Sequence, residues 1–246
     1  MSRRLIGVGV GPGDPELLTL KAHRIFTTAD VILVPATEAS GDGPGRAELV
    51  VTAACPDAAA RVRRVPFSMS DPTGVTQRRA SAWLTSAAAA IEAFESGAGT
   101  VAFATIGDPS VYSTFSYLAD AVLERFGDLD VAVVPGITAM QALAAESRTP
   151  LVEGDEKLAL VTLKHGVADV VDTAAEVDTV VAYKIGRHYA ALREYVAGLG
   201  DAAEAVVGVN VGTSEQVICS AVDLDAAPYF GTMIITGPRG HRGGRL

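Results

Sequence analysis

Ile106-Gly107-Asp108-Pro109-Ser110-Val111-Tyr112-Ser113-Thr114-Phe115-Ser116-Tyr117-Leu118 is the stretch that decides the fold. The apolar run ahead of it, residues 100–106, reads as a buried parallel strand. Gly107 and Asp108 break that run. Pro109 has no N–H and a fixed φ, so it suits the start of a helix, expected over 111–126. A strand ends, a tight turn presents backbone N–H groups and one carboxylate, and a helix departs. In open α/β sheets the carboxyl ends of strands are where ligands bind. Asp108 has two readings at this point, a helix N-cap or a group that faces a ligand. Two further turns of the same kind, at 9–15 and 134–139, favour a shared site.

Working outward, residues 5–10 form a short apolar strand, followed by Gly11-Pro12-Gly13-Asp14-Pro15-Glu16. Asp14 suits an N-cap, Pro15 the first helical position, and Glu16 the positive helix end. Leu18, Ala22, Ile25, Phe26 and Ala29 then share one helix face. The glycines at 7, 9, 11 and 13 invite a nucleotide reading, and the templates fail. A dinucleotide fingerprint needs glycine where Pro12 or Asp14 stands, and a Walker loop needs Gly-Lys-Ser/Thr where Asp14-Pro15 stands. A carboxylate in the loop also repels a pyrophosphate. The turn suits a ligand that is not a phosphate.

Further strands are expected at 30–35, 63–67 and 131–135, with helices at 49–54 and 75–96 and polar loops at 37–45 and 68–74. Trp83, Leu84, Ile91 and Phe94 are the candidate core residues of the longer helix. In Val134-Pro135-Gly136-Ile137-Thr138-Ala139 the strand, glycine turn and helix start recur, with Thr138 either a cap or a hydroxyl and N–H offered to a ligand. Strands alternating with helices imply a mainly parallel five-stranded sheet. Residues 147–155 read as a link. Beyond it, strands are expected at 158–163, 179–185, 205–211, 216–221 and 232–236, with helices at 167–175 and 188–198. The two strands flanking Thr213-Ser214-Glu215 read as a hairpin, which implies a mixed sheet. The expectation is two α/β domains, 1–146 and 156–246, joined by 147–155. The tail from Arg239 to the end reads as loose.

The 246 residues are 49% hydrophobic and 20% charged, enough to bury two real cores. A net charge of −9, with a pI near 4.9, argues against nucleic-acid and membrane-surface binding. Cys55 and Cys219 are far apart and supply neither a disulfide framework nor metal-ligand spacing. His165 and His188 also lack metal spacing. No apolar run reaches the roughly 18–20 residues a membrane helix requires. Arg3 and Arg4 lead straight into a strand, so the expected compartment is the reducing cytoplasm.

The motifs at 9–22, 107–115 and 134–139, with the Tyr183-Lys184 strand end, resemble the tetrapyrrole methylases, the S-adenosylmethionine-dependent methyltransferases of corrin and sirohaem synthesis. Within that family, Tyr112-Ser113-Thr114-Phe115-Ser116-Tyr117 and residues 150–156 are most similar to the precorrin-2 C20-methyltransferases. The resemblance runs nearly end to end. It implies a homodimer of two-domain subunits that binds S-adenosylmethionine between its domains and releases S-adenosylhomocysteine. Carried over by residue, it implies cofactor contacts at Pro12, Ile106, Gly107, Asp108, Val111, Tyr112, Thr138, Ala139, Tyr183, Lys184, Gly212, Thr236 and Gly237. Lys184 stands where some relatives have Met. A cation beside a sulfonium is unfavourable, so its backbone is expected to face the cofactor and its ammonium to point away. Asp14, Asp108 and Tyr112 are candidates for the base that removes the proton after methyl transfer. The family's substrate is a polycarboxylate macrocycle, and the densest basic group is Arg61, Arg63, Arg64, Arg78 and Arg79. Of these, Arg63 and Arg64 are the expected holders of carboxylate arms. The resulting expectation is C20 methylation of precorrin-2 to precorrin-3A. The alternatives are the cobalt-loaded substrate, another ring position, or a diphthine-synthase-like protein methyltransferase.

Overall fold

Parallel strands alternate with covering helices over the first half of the chain. In the computed structural model, which describes residues 3–36, 43–66 and 77–239 (the side chains of 77–81 excepted), they are β1 (Arg4–Gly9), α1 (Leu20–Thr28), β2 (Val31–Ala36), α2 (Arg46–Ala54), β3 (Val62–Pro66), α3 (Gln77–Glu95), β4 (Thr100–Thr105), α4 (Phe115–Arg125) and β5 (Asp130–Val134). The strand order is β3-β2-β4-β1-β5 and every pairing is parallel. Successive side chains leave opposite faces of a strand, so each strand feeds two cores. Leu5, Leu33, Val101 and Phe103 meet Ala90 and Phe94 of α3 and Leu118 and Val122 of α4 on one face. Ile6, Val8, Ile32, Val34 and Ala104 meet Ala22 and Phe26 of α1 and Val50 and Val51 of α2 on the other. Each Val, Leu, Ile or Phe among them contributes roughly 1.5–3 kcal/mol by leaving water.

The second unit contains α5 (Ala139–Ser147), β6 (Leu158–Thr162), α6 (Ala168–Ala174), β7 (Thr179–Tyr183), α7 (Tyr189–Leu199), β8 (Glu204–Val209), β9 (Val217–Ser220) and β10 (Thr232–Thr236). Its sheet order is β6-β7-β10-β8-β9. The β6–β7 pair is parallel and the other pairings are antiparallel, so the sheet is mixed and β8–β9 is the expected hairpin. Val180, Ala182, Val207, Met233 and Ile235 pack against Val170 of α6 and Tyr189, Leu192 and Val196 of α7.

Four expectations are corrected. The contact division falls between Thr138 and Ala139, ahead of the expected link, because α5 packs on β8, β9 and β10. Asp14 does not start α1: it caps a short 3-10 turn, Pro15–Leu17, and Thr19 caps α1 by accepting from Ala22 N at 3.1 Å. Pro109 opens no helix. Tyr112 at φ 50 interrupts the chain, and α4 begins only at Phe115. Leu84 is 63% exposed and not core, while Trp83 is half-buried and stacks on Tyr117 at 4.4 Å. Most of the expected loop at 37–45, all of that at 68–74, the Arg78 and Arg79 side chains, and the tail beyond Arg239 lie outside the described residues.

Candidate functional site

The strand order makes a switch point in the first unit. From β1 the chain passes over β4 to reach β2, and from β4 it passes over β1 to reach β5. Connections therefore leave adjacent strands in opposite directions, and a crevice opens at their carboxyl ends, where ligands bind in such sheets. The turns at that edge are the three that the sequence singled out.

Glycine brings those turns together. Gly107 N donates to Gly11 O at 2.8 Å, and Gly11 N to Gly107 O at 3.4 Å, an isolated bridge beyond the ends of β1 and β4. A Cβ on Gly136 would stand 2.2 Å from Gly107 O and 2.8 Å from Gly9 Cα. One on Gly9 would stand 2.6 Å from both Gly107 O and Gly136 N. Real side chains cannot make such contacts, so all three turns touch backbone to backbone. Gly107 itself has φ 71, a conformation that costs little only for glycine. Thr138 closes the group, buried, with its Cα 3.9 Å from the Cβ position of Gly107.

Asp108 fastens the second turn to the third. Its Oδ2 accepts from Gly136 N at 2.8 Å, and its Oδ1 accepts from Ser110 N at 2.7 Å and from the Ser110 hydroxyl. The residue is 7% exposed. Burial pushes its carboxyl up, but the Ser110 hydroxyl and the two N–H donors outweigh burial and hold it below the ordinary carboxylate range. Asp108 is thus neither a helix N-cap nor an open base. Both of its oxygens are engaged by the protein.

Tyr112, on the loop between Asp108 and α4, is a non-glycine residue at φ 50 and is 47% exposed. Partial burial pushes its phenol above the ordinary value, so it is protonated at neutral pH. Ser113 anchors the loop from the other side: its hydroxyl lies 3.4 Å from the Thr105 hydroxyl and accepts from Phe115 N at 3.2 Å. Asp14 accepts from Glu16 N at 2.8 Å and remains at the surface. Pro12, buried, and Ile106 and Val111, half-buried, lie on the same turns.

The candidates of the second unit divide. Tyr183 ends β7, and its hydroxyl accepts from Met140 N at 2.9 Å in the first turn of α5, beside Ala139. Lys184 follows at φ 59, with its exposed ammonium 5.8 Å from the Tyr229 ring centroid. Gly212, at φ 80, donates to Gln216 Oε1 at 2.7 Å just past β8. These residues share one end of the sheet, because β10 pairs Thr232 with both Tyr183 and Gly208. Thr236 pairs with Thr179 and Glu204, about 14 Å farther along the strands. The register therefore does not bring Thr236 and Gly237 together with Lys184 and Gly212, and Thr236 is buried within the sheet.

The two expected substrate arginines also differ from each other. Arg64 makes a bidentate pair with Glu48, at 2.7 and 2.9 Å, on the edge strand β3. Its fork is therefore engaged. Arg63 is exposed on the same strand, and Arg61 donates to Ala29 O.

Sequence reasoning missed the closure by Gly9 and Gly136, the Ser110 partner and the hydroxyl–helix contact of Tyr183. Ser110 was detectable, because Asp followed two residues later by a donor is an Asx-turn pattern. The other contacts are long-range and left no local mark. Among the described residues no acidic and thiol or imidazole side chains group as a metal site, and no helix is long and apolar enough to cross a membrane.

Comparison with known proteins agrees with this geometry. The family model of the tetrapyrrole (corrin/porphyrin) methylases matches residues 4–225. The chain is 33% identical to the precorrin-2 C(20)-methyltransferase of a Sinorhizobium species over 239 residues, 95% of each chain. It is 27% identical to the cobalt-precorrin-2 C(20)-methyltransferase of Salmonella typhimurium, covering 96% of this chain and 97% of that one. In fold it is similar to the uroporphyrin-III C-methyltransferase of Thermus thermophilus complexed with S-adenosylhomocysteine, with a TM-score of 0.60 at 22% identity and 95% and 97% coverage. The chain belongs to the tetrapyrrole methylases.

Proposed function

We propose that the chain transfers the methyl group of S-adenosylmethionine to C20 of precorrin-2, giving precorrin-3A and S-adenosylhomocysteine in cobalamin biosynthesis. The observation that carries the cofactor half is the glycine-closed meeting of three turns at the β1–β4 switch point. It offers backbone groups, lacks a phosphate loop, and so fits a nucleoside that carries a sulfonium in place of phosphates. End-to-end similarity to the Sinorhizobium enzyme supports the substrate half.

The cofactor supplies an electrophilic methyl group. The chain's residues align it and exclude water, which for well-oriented reactants is worth on the order of 7–11 kcal/mol. Gly107, Asp108 and Thr138 hold the shape of the cradle, with Pro12, Ile106 and Val111 lining it. The bond from C20 to the methyl carbon forms as the sulfur–carbon bond breaks, and the proton on C20 then leaves. Asp108 is not its acceptor, because both oxygens are engaged, and the protonated Tyr112 is a donor at neutral pH. In this reading the enzyme is a homodimer in the reducing cytoplasm, with Cys55 and Cys219 as thiols.

Incubation with methyl-labelled S-adenosylmethionine and enzymatically made precorrin-2 tests the reading. One methyl is expected, located at C20 by carbon NMR. No transfer, or a methyl at another carbon, defeats it. Similarity to the cobalt-precorrin-2 enzyme favours a second reading, in which the substrate carries cobalt. Parallel kcat/KM values on the two substrates separate them.

A further inference from the structure

The cations of the second unit are unevenly placed. Residues 139–239 contain 7 Lys or Arg and 14 Asp or Glu. Three of those cations, Lys164, Lys184 and Arg187, stand on two short loops after β6 and β7. The strands are parallel and pair Thr162 with Tyr183, so both loops leave the same sheet edge. The loops also touch, since a Cβ on Gly166 would stand 3.7 Å from His188 Nδ1.

All three cationic side chains are exposed. Lys164 and Arg187 have no acidic partner among the described residues. The nearby carboxylate, Asp169, is engaged by His165: it accepts from the backbone N at 2.6 Å and lies 3.0 Å from Nδ1. The two loops, residues 163–168 and 184–188, are therefore net positive on an acidic protein.

An aromatic pair lies beside Lys184. Tyr229 and Phe230 meet edge to face at 5.4 Å, and Lys184 Nζ lies 5.8 Å from the Tyr229 centroid. Phe230 is 37% exposed. Their loop is fixed to the loop after β7. Ile185 N donates to Gly231 O at 3.5 Å, and a Cβ on Gly186 would stand 2.7 Å from the Pro228 carbonyl carbon. Half-exposed aromatic rings on an edge that carries three cations suit a large apolar ring with carboxylate arms.

We propose that this edge of the second unit is the docking surface for the tetrapyrrole, an inference that rests on the substrate class argued above. The macrocycle lies against Tyr229 and Phe230. Arg187 grips one carboxylate arm through its planar fork, and Lys164 meets another as a point charge. The assignment shifts substrate recognition from the Arg63–Arg64 strand to the β6 and β7 loops.

Fluorescence titration of the full chain with uroporphyrin III, an octacarboxylate, and with its octamethyl ester tests the surface. Uroporphyrin should bind, more weakly as salt is added, and the ester should not. The double variant Lys164→Glu/Arg187→Glu should lose about tenfold or more in uroporphyrin affinity. Arg187→Lys should lose less than Arg187→Glu. Arg24→Glu on α1, a single reversal like Arg187→Glu, should change nothing. Calorimetry with S-adenosylhomocysteine should give the same affinity for the double variant as for the parent, which shows that it is folded. An unchanged uroporphyrin affinity in the double variant, or equal binding of the ester, overturns the proposal. Methylation of precorrin-2 with KM unaltered in the double variant removes this surface and leaves the proposed activity standing. Uroporphyrin binding that depends on Lys164 and Arg187, without methylation of precorrin-2, does the reverse.

Discussion

Replacing Asp108 by Asn keeps the shape of the side chain and removes one acceptor. The carboxylate accepts three hydrogen bonds, from Gly136 N, Ser110 N and the Ser110 hydroxyl. The amide has a single acceptor oxygen. If that oxygen stays with Ser110, the NH2 group faces the Gly136 N–H, donor against donor. A buried donor left unpaired costs about 1–3 kcal/mol. The loss of a charge-assisted bond falls in the same range, so about 2 kcal/mol of stability should go. For a chain of this length that is a fall in Tm of about 4–8 °C. The same bond fixes the third turn against the second, so S-adenosylhomocysteine affinity should fall about tenfold, the equivalent of 1.4 kcal/mol. The pH dependence supplies a sign. A carboxyl whose folded pKa is depressed stabilises the fold above its unfolded value, ordinarily about 3.9, and loses that contribution as pH falls through the folded value. The Tm difference between parent and Asp108→Asn should therefore be full at pH 7 and shrink below about pH 4. Scanning calorimetry across pH, with isothermal titration at pH 7, measures both quantities. An Asp108→Asn protein with parental Tm and affinity but no turnover would falsify the positioning role and restore Asp108 as a chemical group.

Three further outcomes follow from named contacts. Gly136→Ala must move backbone, because its Cβ would stand 2.2 Å from Gly107 O; a loss of about 3 kcal/mol or failure to fold is expected, read by urea denaturation. Tyr183→Phe removes the acceptor for Met140 N and should cost about 1 kcal/mol in the same assay, with amide exchange at Met140 as the local readout. Phe115→Ala empties a 3%-exposed site beside Gly7 and should cost about 3–5 kcal/mol, and Gly7→Ala on that background should recover part of the loss.

Much of the first sheet was legible because β1 and β4 are short apolar runs followed by Gly-Asp-Pro, a pattern that a buried parallel strand and its turn satisfy. The second sheet was legible where Thr213-Ser214-Glu215 separates two short runs, and β10 was delimited to the residue. Where the reading failed, tertiary contacts overrode local chemistry. Asp14-Pro15 and Asp108-Pro109 carry the same start signal, yet neither starts an α-helix. One N-caps a 3-10 turn, and the other spends its carboxylate on a turn 28 residues away. A capping preference records that a side chain can accept a backbone N–H and leaves open whose N–H it is. Leu84 fits the helical period but lies on the wet side of α3, because Trp83 stacks on Tyr117. The grouping of Thr236 with Lys184 failed for another reason. Motif order along a chain carries no register, and antiparallel pairing sets the end of β10 against the start of β7.

The quenching of Asp108 also bears on how a sulfonium is best held. A bare carboxylate beside a positive sulfur would stabilise the bound cofactor more than the transition state, because that charge disperses as the methyl group departs. Binding of this kind raises affinity and slows transfer. Three donors on Asp108 weaken its field at the cradle while keeping its hold on Gly136. Glycine contacts give the turns their shape without adding charge, and the loop lacks the lysine of a phosphate site. The expected consequence is a cradle that discriminates weakly between S-adenosylmethionine and S-adenosylhomocysteine, so that product inhibition is pronounced. Ser110→Ala, which removes the hydroxyl donor from Asp108 Oδ1 and leaves both backbone donors, should shift that balance toward the charged cofactor. Competition between the two ligands in the parent and in Ser110→Ala measures the shift, and equal ratios in both proteins would remove electrostatic quenching from the account.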